Sequence, residues 1–343
     1  MSELVLVANA ADGTLSTLRL HRTGGTEGGA WLEPLALVGE LPGCSTFAVD
    51  AGRDLVHAAY KDDDGAGLAT LSLDRETGEM VQLRTHAIGG KLTYLSLARD
   101  GDVLLGESYG EGKGWSWPVE DGVIQEPVSE IAFRNLHGIV SDDTYVYCPA
   151  LGEDLIAQYR LGEGGELEPL DPPTVSAPAG SGPRHLIIDG DNTYLVTEFS
   201  GELIRYGRGG DGTLTEAESV HVAPTDAGLS HSRFGADPMA EHLIWGADVH
   251  RAGRFVITSE RTTSTLTVTA LDGEGHLGDV VGIFPTQAQP RGFAVTSDGA
   301  FVIAVGERST SAQLSRVESG GALTPLGTAP IGRGANWVRV VEG

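Results

Sequence analysis

The chain has 343 residues, a formal net charge of −25 and two cysteines. Such an acidic composition excludes nucleic acid as a partner, because neutralising phosphate groups requires many surface lysines and arginines. Cys44 and Cys148 lie outside any CxxC pattern, which excludes a disulfide framework and gives no support to a structural zinc site. No run of eighteen apolar residues occurs, and the N-terminus lacks the pattern of a signal peptide. We therefore expect a cytoplasmic protein with no membrane partner.

The first predicted elements are short strands at residues 4–9, 14–21 and 32–41. A unit of two strands joined by a tight turn then recurs, with starts near residues 45, 93, 137, 184, 248 and 291. The starts are separated by 48, 44, 47, 64 and 43 residues. A period in the forties made of short strands is typical of β-propeller blades.

The two ends of the chain are predicted to share a blade. Residues 336–341 have the pattern of a blade's first strand, and the strands that would complete that blade are the N-terminal ones. Joining them closes the ring and removes exposed sheet edges. We predict an all-β fold with a single seven-bladed β-propeller domain over residues 1–343, its ring closed by the N-terminal strands that complete the C-terminal blade.

One interval, from 184 to 248, is too long for a single blade. It predicts an insertion at about residues 207–246, which contains apolar and basic residues in an otherwise acidic chain. Such a segment is a candidate lid or a candidate contact for a homo-oligomer. A longer loop without a specific role is an equally good interpretation.

The unit near residue 184 carries the clearest candidate site. Its first strand opens with Arg184, and its second strand ends at Glu198. Because antiparallel strands run past each other, we expect Arg184 and Glu198 to meet at one rim.

The corresponding positions of the other units are also charged or polar. Ends of first strands contribute His137, Arg184, His185, His250 and Arg291, and ends of second strands contribute Glu198, Glu260, Arg261, Glu307 and Arg308. First strands line the channel of a propeller, so these side chains should converge on one funnel. Any single Arg–Glu pair could equally be a clamp between blades. As a set they suit an anionic substrate and a developing oxyanion, with no metal and no cofactor.

Motifs for other chemistries give no competing hypothesis. We recognise no GxSxG nucleophile elbow, no HExxH, no GxxxxGK[ST] and no GxGxxG that opens a helix. We expect no zincin, P-loop, Rossmann or serine-hydrolase chemistry.

Several stretches together resemble one family. They are GPRH at 182–185, WGADVH at 245–250, SER at 259–261, QPRGF at 289–293, AVG at 304–306 and GANWV at 334–338. They resemble the bacterial seven-bladed 6-phosphogluconolactonases, whose family also contains the fungal carboxy-cis,cis-muconate lactonizing enzymes. The resemblance covers most of the chain and is densest from Arg184 onwards. It implies a propeller fold and a lactone substrate.

The resemblance also implies roles for single residues. Arg184, Glu198 and Arg261 match residues that members of the family are proposed to use, and His137 matches a blade-entry histidine of the family. We assign catalytic roles to all four. We assign substrate binding to His185, His250 and Arg291. The family usually has asparagine where Glu260 stands, which leaves the identity of the lactone open.

The expected activity is hydrolysis of 6-phospho-D-glucono-1,5-lactone, with Glu198 as the general base. Two alternatives stay open at this point. Another aldonolactone, or lactonisation of a muconate, would use the same cations, because arginine recognises phosphate and carboxylate alike. A non-catalytic binding platform is the third reading, since many propellers serve that purpose.

Overall fold

A computed structural model describes residues 3–23 and 29–341. These residues form seven antiparallel sheets, six with four strands and one with five. Helix in the described part is limited to one short α-helix, α1 (Pro238–Glu241), and 3₁₀ turns at Arg99–Gly101 and Thr225–Ala227. None of the helices in these residues is long and apolar enough to cross a membrane.

The strands follow one another blade by blade. The N-terminal strands are β1 (Glu3–Asn9), β2 (Thr14–Arg22) and β3 (Ala30–Val38). Blade 1 contains β4 (Phe47–Asp50), β5 (Leu55–Lys61), β6 (Ala66–Leu73) and β7 (Met80–Ile88). Blade 2 contains β8 (Tyr94–Ala98), β9 (Val103–Ser108), β10 (Lys113–Glu120), β11 (Val123–Ile124) and β12 (Ser129–Ala132). Blade 3 contains β13 (Val140–Ser141), β14 (Tyr145–Ala150), β15 (Leu155–Leu161) and β16 (Leu167–Ser176).

The second half of the chain repeats this order. Blade 4 contains β17 (Pro183–Asp189), β18 (Asn192–Thr197), β19 (Glu202–Arg208) and β20 (Leu214–His221). Blade 5 contains β21 (Gly246–Ala252), β22 (Phe255–Glu260), β23 (Thr265–Leu271) and β24 (Leu277–Pro285). Blade 6 contains β25 (Gly292–Val295), β26 (Phe301–Val305), β27 (Ser311–Val317) and β28 (Leu323–Pro330). Blade 7 joins β29 (Ala335–Val341) to β1, β2 and β3.

The ring closes through blade 7, as the sequence predicts. Strand β29 pairs with β1 from Leu4 opposite Val341 to Asn9 opposite Ala335. Each blade then contacts the next through its inner strands, from β29 against β4 round to β25 against β29. The first strands therefore line a common channel, and their N-terminal ends meet at one rim.

The core lies between neighbouring blades. Second strands such as β22 and β26 are buried over their whole length, and both are rich in apolar residues. A strand covered on both faces needs an apolar run rather than an alternating pattern. Outer strands such as β7 face solvent over most of their length. The inner strands thus form a rigid wall that fixes the residues at the rim.

The predicted insertion is wrong at its N-terminal boundary. Residues 207–221 mostly belong to blade 4, as the end of β19 and the whole of β20, and the additional segment is 222–245. The outer strand β20 consists mostly of exposed and half-buried residues, many of them polar, so its sequence resembles that of a loop. The additional segment lies on the rim, where the Ser232 N–H donates to the Phe199 carbonyl at 3.0 Å. An oligomer contact through this segment stays a prediction, as does the single domain over residues 1–343.

Closure of the ring can be tested in β29. Val338 is fully buried opposite Val7, so Val338→Asp would place an unpaired carboxylate in the core. We expect the free energy of unfolding to fall by about 3–5 kcal/mol, which lowers Tm by roughly 4–7 °C in a chain of this length. Val81→Asp is the matched control, because Val81 is 63% exposed on an outer strand. Thermal melts that place both variants within about 2 °C of the parent would contradict the proposed closure.

Candidate active site

One carboxylate oxygen at the rim is shared by two arginines. Glu198 Oε2 lies 2.9 Å from Arg184 Nε and 2.9 Å from Arg261 Nη2. Both guanidinium groups are buried, whereas the Glu198 side chain keeps 14% of its surface exposed. In the described part of the chain, no hydrogen bond engages Glu198 Oε1. The predicted meeting of Arg184 and Glu198 is confirmed, and their pair gains Arg261 from the next blade.

A bulge in the backbone of β17 sets the direction of the Arg184 side chain. The register of β17 against β18 shifts between Pro183 and His185, so Arg184 is the additional residue of a bulge. A bulge turns two successive side chains toward the same side, which a regular strand cannot do. Arg184 Nη1 consequently lies 3.2 Å from His185 Nε2. It also donates to the Ala247 carbonyl, in the first strand of the next blade.

Arg261 is fixed by the blade that carries it. Its guanidinium carbon lies 3.8 Å from the centre of the Trp245 ring, a cation–π contact, and Nη2 donates to the Gly246 carbonyl at 3.2 Å. Burial lowers the pKa of Arg261 to about 9, against the opposing effect of Glu198. Burial likewise lowers the pKa of Arg184. Both groups remain protonated at neutral pH, because the guanidinium starts from a very high pKa.

A second network lies deeper and is centred on Asp248. Its Oδ1 lies 2.8 Å from His185 Nδ1, and its Oδ2 lies 3.2 Å from His250 Nε2. Since the Arg184 guanidinium can only donate, His185 accepts through Nε2 and donates from Nδ1 to Asp248. Burial would raise the pKa of Asp248, but the charges and hydrogen bonds of His250 and His185 hold it well below its usual value. The predicted site residue His250 therefore contacts this cluster through Asp248 and not through Arg184.

His137 completes the blade 3 side of the site. Its ring meets the rings of Tyr109 and His185 edge-on, with centroids 5.3 Å and 5.2 Å away. Burial, then the positive charge of Arg184, holds the pKa of His137 well below its usual value. Burial also lowers the pKa of His185 to about 3. Both imidazoles are neutral at pH 7 and can act as hydrogen-bond donors or acceptors.

Arg291 supplies a further positive charge from blade 6. Its Nη1 lies 3.3 Å from Glu307 Oε1, and Glu307 Oε2 accepts from Gln289 at 3.0 Å. The charge of Arg291 reaches both Arg184 and Arg261, whose pKa values it lowers further after burial. The predicted convergence of arginines is thus confirmed for blades 4, 5 and 6.

Two residues of the predicted set lie outside this cluster. Glu260 accepts hydrogen bonds from the backbone N–H groups of Trp245, Thr262 and Thr263, at 2.8, 3.1 and 2.7 Å, so its carboxylate fixes a loop. Arg308 is exposed at the surface. Side chains at equivalent positions of the repeat contact different partners because the loops that follow the second strands differ.

Sequence reasoning missed Glu107, at the end of β9. This carboxyl is fully buried, accepts from Thr93 Oγ1 at 2.9 Å and has no partner for Oε2 within residues 3–23 and 29–341. Burial raises the pKa of Glu107 well above its usual value. A signal was present, because Glu107 follows Thr93 by fourteen residues, as Glu198 follows Arg184. In blade 2 a threonine replaces the arginine, so Glu107 has no ion pair among the described residues, and the charges of Arg184 and Arg291 offset only part of the effect of burial.

The same strand contains a GxSxG pattern, which the sequence analysis did not recognise. It spans residues 106–110, and Ser108 is its central serine. A nucleophile elbow needs a strand followed by a helix, but here strand β9 turns directly into strand β10. Ser108 is buried, and its hydroxyl accepts from the Glu111 N–H at 3.3 Å. The fold therefore supports the expectation that this chain has no serine-hydrolase chemistry.

Close packing at Gly246 can be tested by adding one methyl group. A Cβ at this position would overlap the carbonyl oxygen of Thr197, where blade 5 approaches blade 4. Because the obstacle is backbone, we expect Gly246→Ala to separate the two strands and to lower the free energy of unfolding by about 2–3 kcal/mol. Gly207→Ala is the control, since a Cβ there meets no atom within 4 Å. Equal denaturant midpoints for the two variants would refute this contact.

Relatives support the assignment of a family. A family model for seven-bladed β-propeller lactonases matches residues 5–340. A 6-phosphogluconolactonase of Pectobacterium carotovorum is 30% identical over 276 residues, which cover 78% of this chain and 79% of the relative. A 6-phosphogluconolactonase of Serratia proteamaculans is 28% identical over 353 residues, covering 99% of each chain.

Solved structures agree on the fold. The periplasmic gluconolactonase PpgL of Pseudomonas aeruginosa superposes with a TM-score of 0.84 at 23% identity, over 100% of this chain and 99% of that one. A protein from Lactobacillus plantarum superposes with a TM-score of 0.85 at 22% identity, over the whole of both chains. With the family model covering nearly its whole length, this chain belongs to the seven-bladed β-propeller lactonases.

Proposed function

We propose that this chain hydrolyses a sugar δ-lactone, with 6-phospho-D-glucono-1,5-lactone as its substrate. The observation that carries the proposal is the Glu198 carboxylate, whose Oε2 is shared by Arg184 and Arg261 while the side chain stays partly exposed. The relatives named 6-phosphogluconolactonase support the choice of substrate. A cytoplasmic location stays a prediction.

Glu198 is suited to act as a general base. The two arginines fix the carboxylate through Oε2, which leaves Oε1 for a water molecule. In the proposed reaction, that water attacks the lactone carbonyl carbon, C1, and gives one proton to Glu198. A positioned carboxylate base of this kind contributes about 10²- to 10⁴-fold to a rate.

Arg184 is suited to stabilise the negative charge that forms on the carbonyl oxygen. Its Nη2 is buried and has no hydrogen-bond partner among the described residues. A buried, fixed donor stabilises a developing oxyanion more than water does, because it needs no reorganisation. The positive charge of Arg261 acts on the same place.

Ring opening completes the reaction. The tetrahedral intermediate collapses, the bond between C1 and the ring oxygen breaks, and the proton held by Glu198 passes to the ring oxygen. His137 is neutral, since burial and the Arg184 charge lower its pKa, so its role in the proposal is to orient the lactone through a hydrogen bond. The product is an open-chain carboxylic acid with one hydroxyl more than the lactone, and the enzyme returns to its initial state.

Conversion of three compounds by the purified protein, by opening of the two lactones and by cyclisation of the carboxymuconate, tests the proposal. They are 6-phosphogluconolactone, unphosphorylated gluconolactone and a carboxymuconate, each compared with its spontaneous rate. We expect the phosphorylated lactone to react fastest. Acceleration of the carboxymuconate alone would favour lactonisation, and no acceleration of any compound would leave the binding-platform hypothesis.

The role of the base is tested by Glu198→Gln. The amide still accepts a hydrogen bond from arginine but cannot take a proton, so we expect kcat to fall by about 10²- to 10⁴-fold with KM little changed. Glu218→Gln is the control, because Glu218 pairs with Arg205 in the same blade, outside the funnel. Rates are to be expressed per folded molecule. An unchanged kcat in Glu198→Gln would remove Glu198 as the base.

The role of Arg184 is tested by Arg184→Lys, which keeps the charge. A lysine cannot contact Glu198 and the Ala247 carbonyl and still offer a planar donor to the substrate. We expect kcat to fall by about 10²-fold and KM to rise. If the arginine only clamps two blades together, Tm falls while the rate per folded molecule stays constant.

A further inference from the structure

The three lysines of the chain have different surroundings. Lys113 forms an ion pair with Glu130 at 2.6 Å. Lys91 is partly buried and Lys61 is exposed, and neither forms an ion pair with an acidic residue in the described part of the chain. The chain has 48 acidic residues and a net charge of −25. Among the described lysines, Lys91 is therefore the partly buried one without a carboxylate partner.

Lys91 belongs to the same rim as the arginines. It lies three residues before β8, just as Arg291 lies directly before β25 and Arg184 lies at the start of β17. All three precede or open the first strand of a blade, and the ring brings those ends together. Lys91 also approaches blade 1, where its Nζ would lie 3.7 Å from a Cβ on Gly43.

Arg291 is close to both groups of cations. Burial lowers the pKa of Lys91, and the charges of Arg291 and Lys61 lower it further. Arg291 acts in the same way on Arg184 and Arg261. Arg184, Arg291 and Lys91 thus bring positive charge to one rim from blades 4, 6 and 2, and Glu307 is the acidic side chain paired with Arg291 there.

We propose that Lys91 and Arg291, with Lys61 at the outer edge, form the subsite that binds the phosphate group of the substrate. This inference rests on the proposed lactone hydrolysis and identifies the residues that bind the phosphate end of the same substrate. Arginine binds phosphate through a planar fork and lysine binds it as a point charge, so the pair suits a dianion. In a protein this acidic, a local positive region is also needed to attract an anion at all.

The geometry separates binding from chemistry. Glu198, Arg184 and Arg261 belong to blades 4 and 5, whereas Lys91 precedes the first strand of blade 2. A lactone without phosphate uses the first group only. Loss of Lys91 should therefore weaken binding of the phosphorylated lactone and leave binding of the unphosphorylated lactone unchanged.

The experiment compares Lys91→Met with the parent protein on 6-phosphogluconolactone and on gluconolactone. We expect kcat/KM for the phosphorylated lactone to fall about 10- to 100-fold, mainly through KM, because one charged hydrogen bond is lost. The value for gluconolactone should change less than about twofold. Lys113→Met, which removes a lysine from the same blade outside the rim, should change neither value. Equal losses on both lactones, or no loss on either, would overturn the subsite.

A binding measurement separates this inference from the proposed function. Calorimetry is used to compare 6-phosphogluconate with gluconate on the parent protein and on Lys91→Met. If no lactone is opened but 6-phosphogluconate binds more weakly to Lys91→Met, the phosphate subsite stands and the proposed hydrolysis fails. If Lys91→Met binds 6-phosphogluconate as the parent does, or the parent does not bind it, the subsite is wrong whatever the activity.

Discussion

Two buried guanidinium groups that share one carboxylate oxygen are the constraint on which the site depends. Removing two such cations from water costs far more than one carboxylate can offset. The remaining cost is met by backbone carbonyls of blade 5, which accept from Arg184 and Arg261, and by the Trp245 ring. The two guanidinium groups and the Glu198 carboxylate together carry a net charge of +1. This cluster is complementary to an anion, and above all to a negative charge that forms during a reaction.

The propeller makes this concentration of charge possible. Each cation comes from a different blade, so no single sheet has to bury more than one or two of them. The apolar second strands hold the blades against each other and exclude water from the walls, which strengthens electrostatic interactions inside the funnel. Blade 7 links the two ends of the chain, so the wall has no open edge at the place where the first strands meet.

The charge state of each polar group follows from its neighbours. Glu198 lies between two arginines, whereas Glu107 occupies the matching place in blade 2 and accepts from Thr93. Asp248 has two histidine partners, and its pKa is held low although it is buried. One repeat position therefore provides an ion-paired carboxylate in one blade and a carboxyl of raised pKa in another.

The sequence by itself determined the ring of seven blades, the composite blade and the meeting of Arg184 with Glu198, because strand period and antiparallel pairing are local properties of the chain. The predicted N-terminal boundary of the insertion was misplaced because the outer strand β20 has a polar surface. The contact of Arg261 with Glu198, the link from His185 through Asp248 to His250, and the burial of Glu107 were decided by the tertiary structure. They depend on how closely blade 5 packs at Gly246 and on bulges that turn side chains out of simple alternation, and these arise only when neighbouring blades meet.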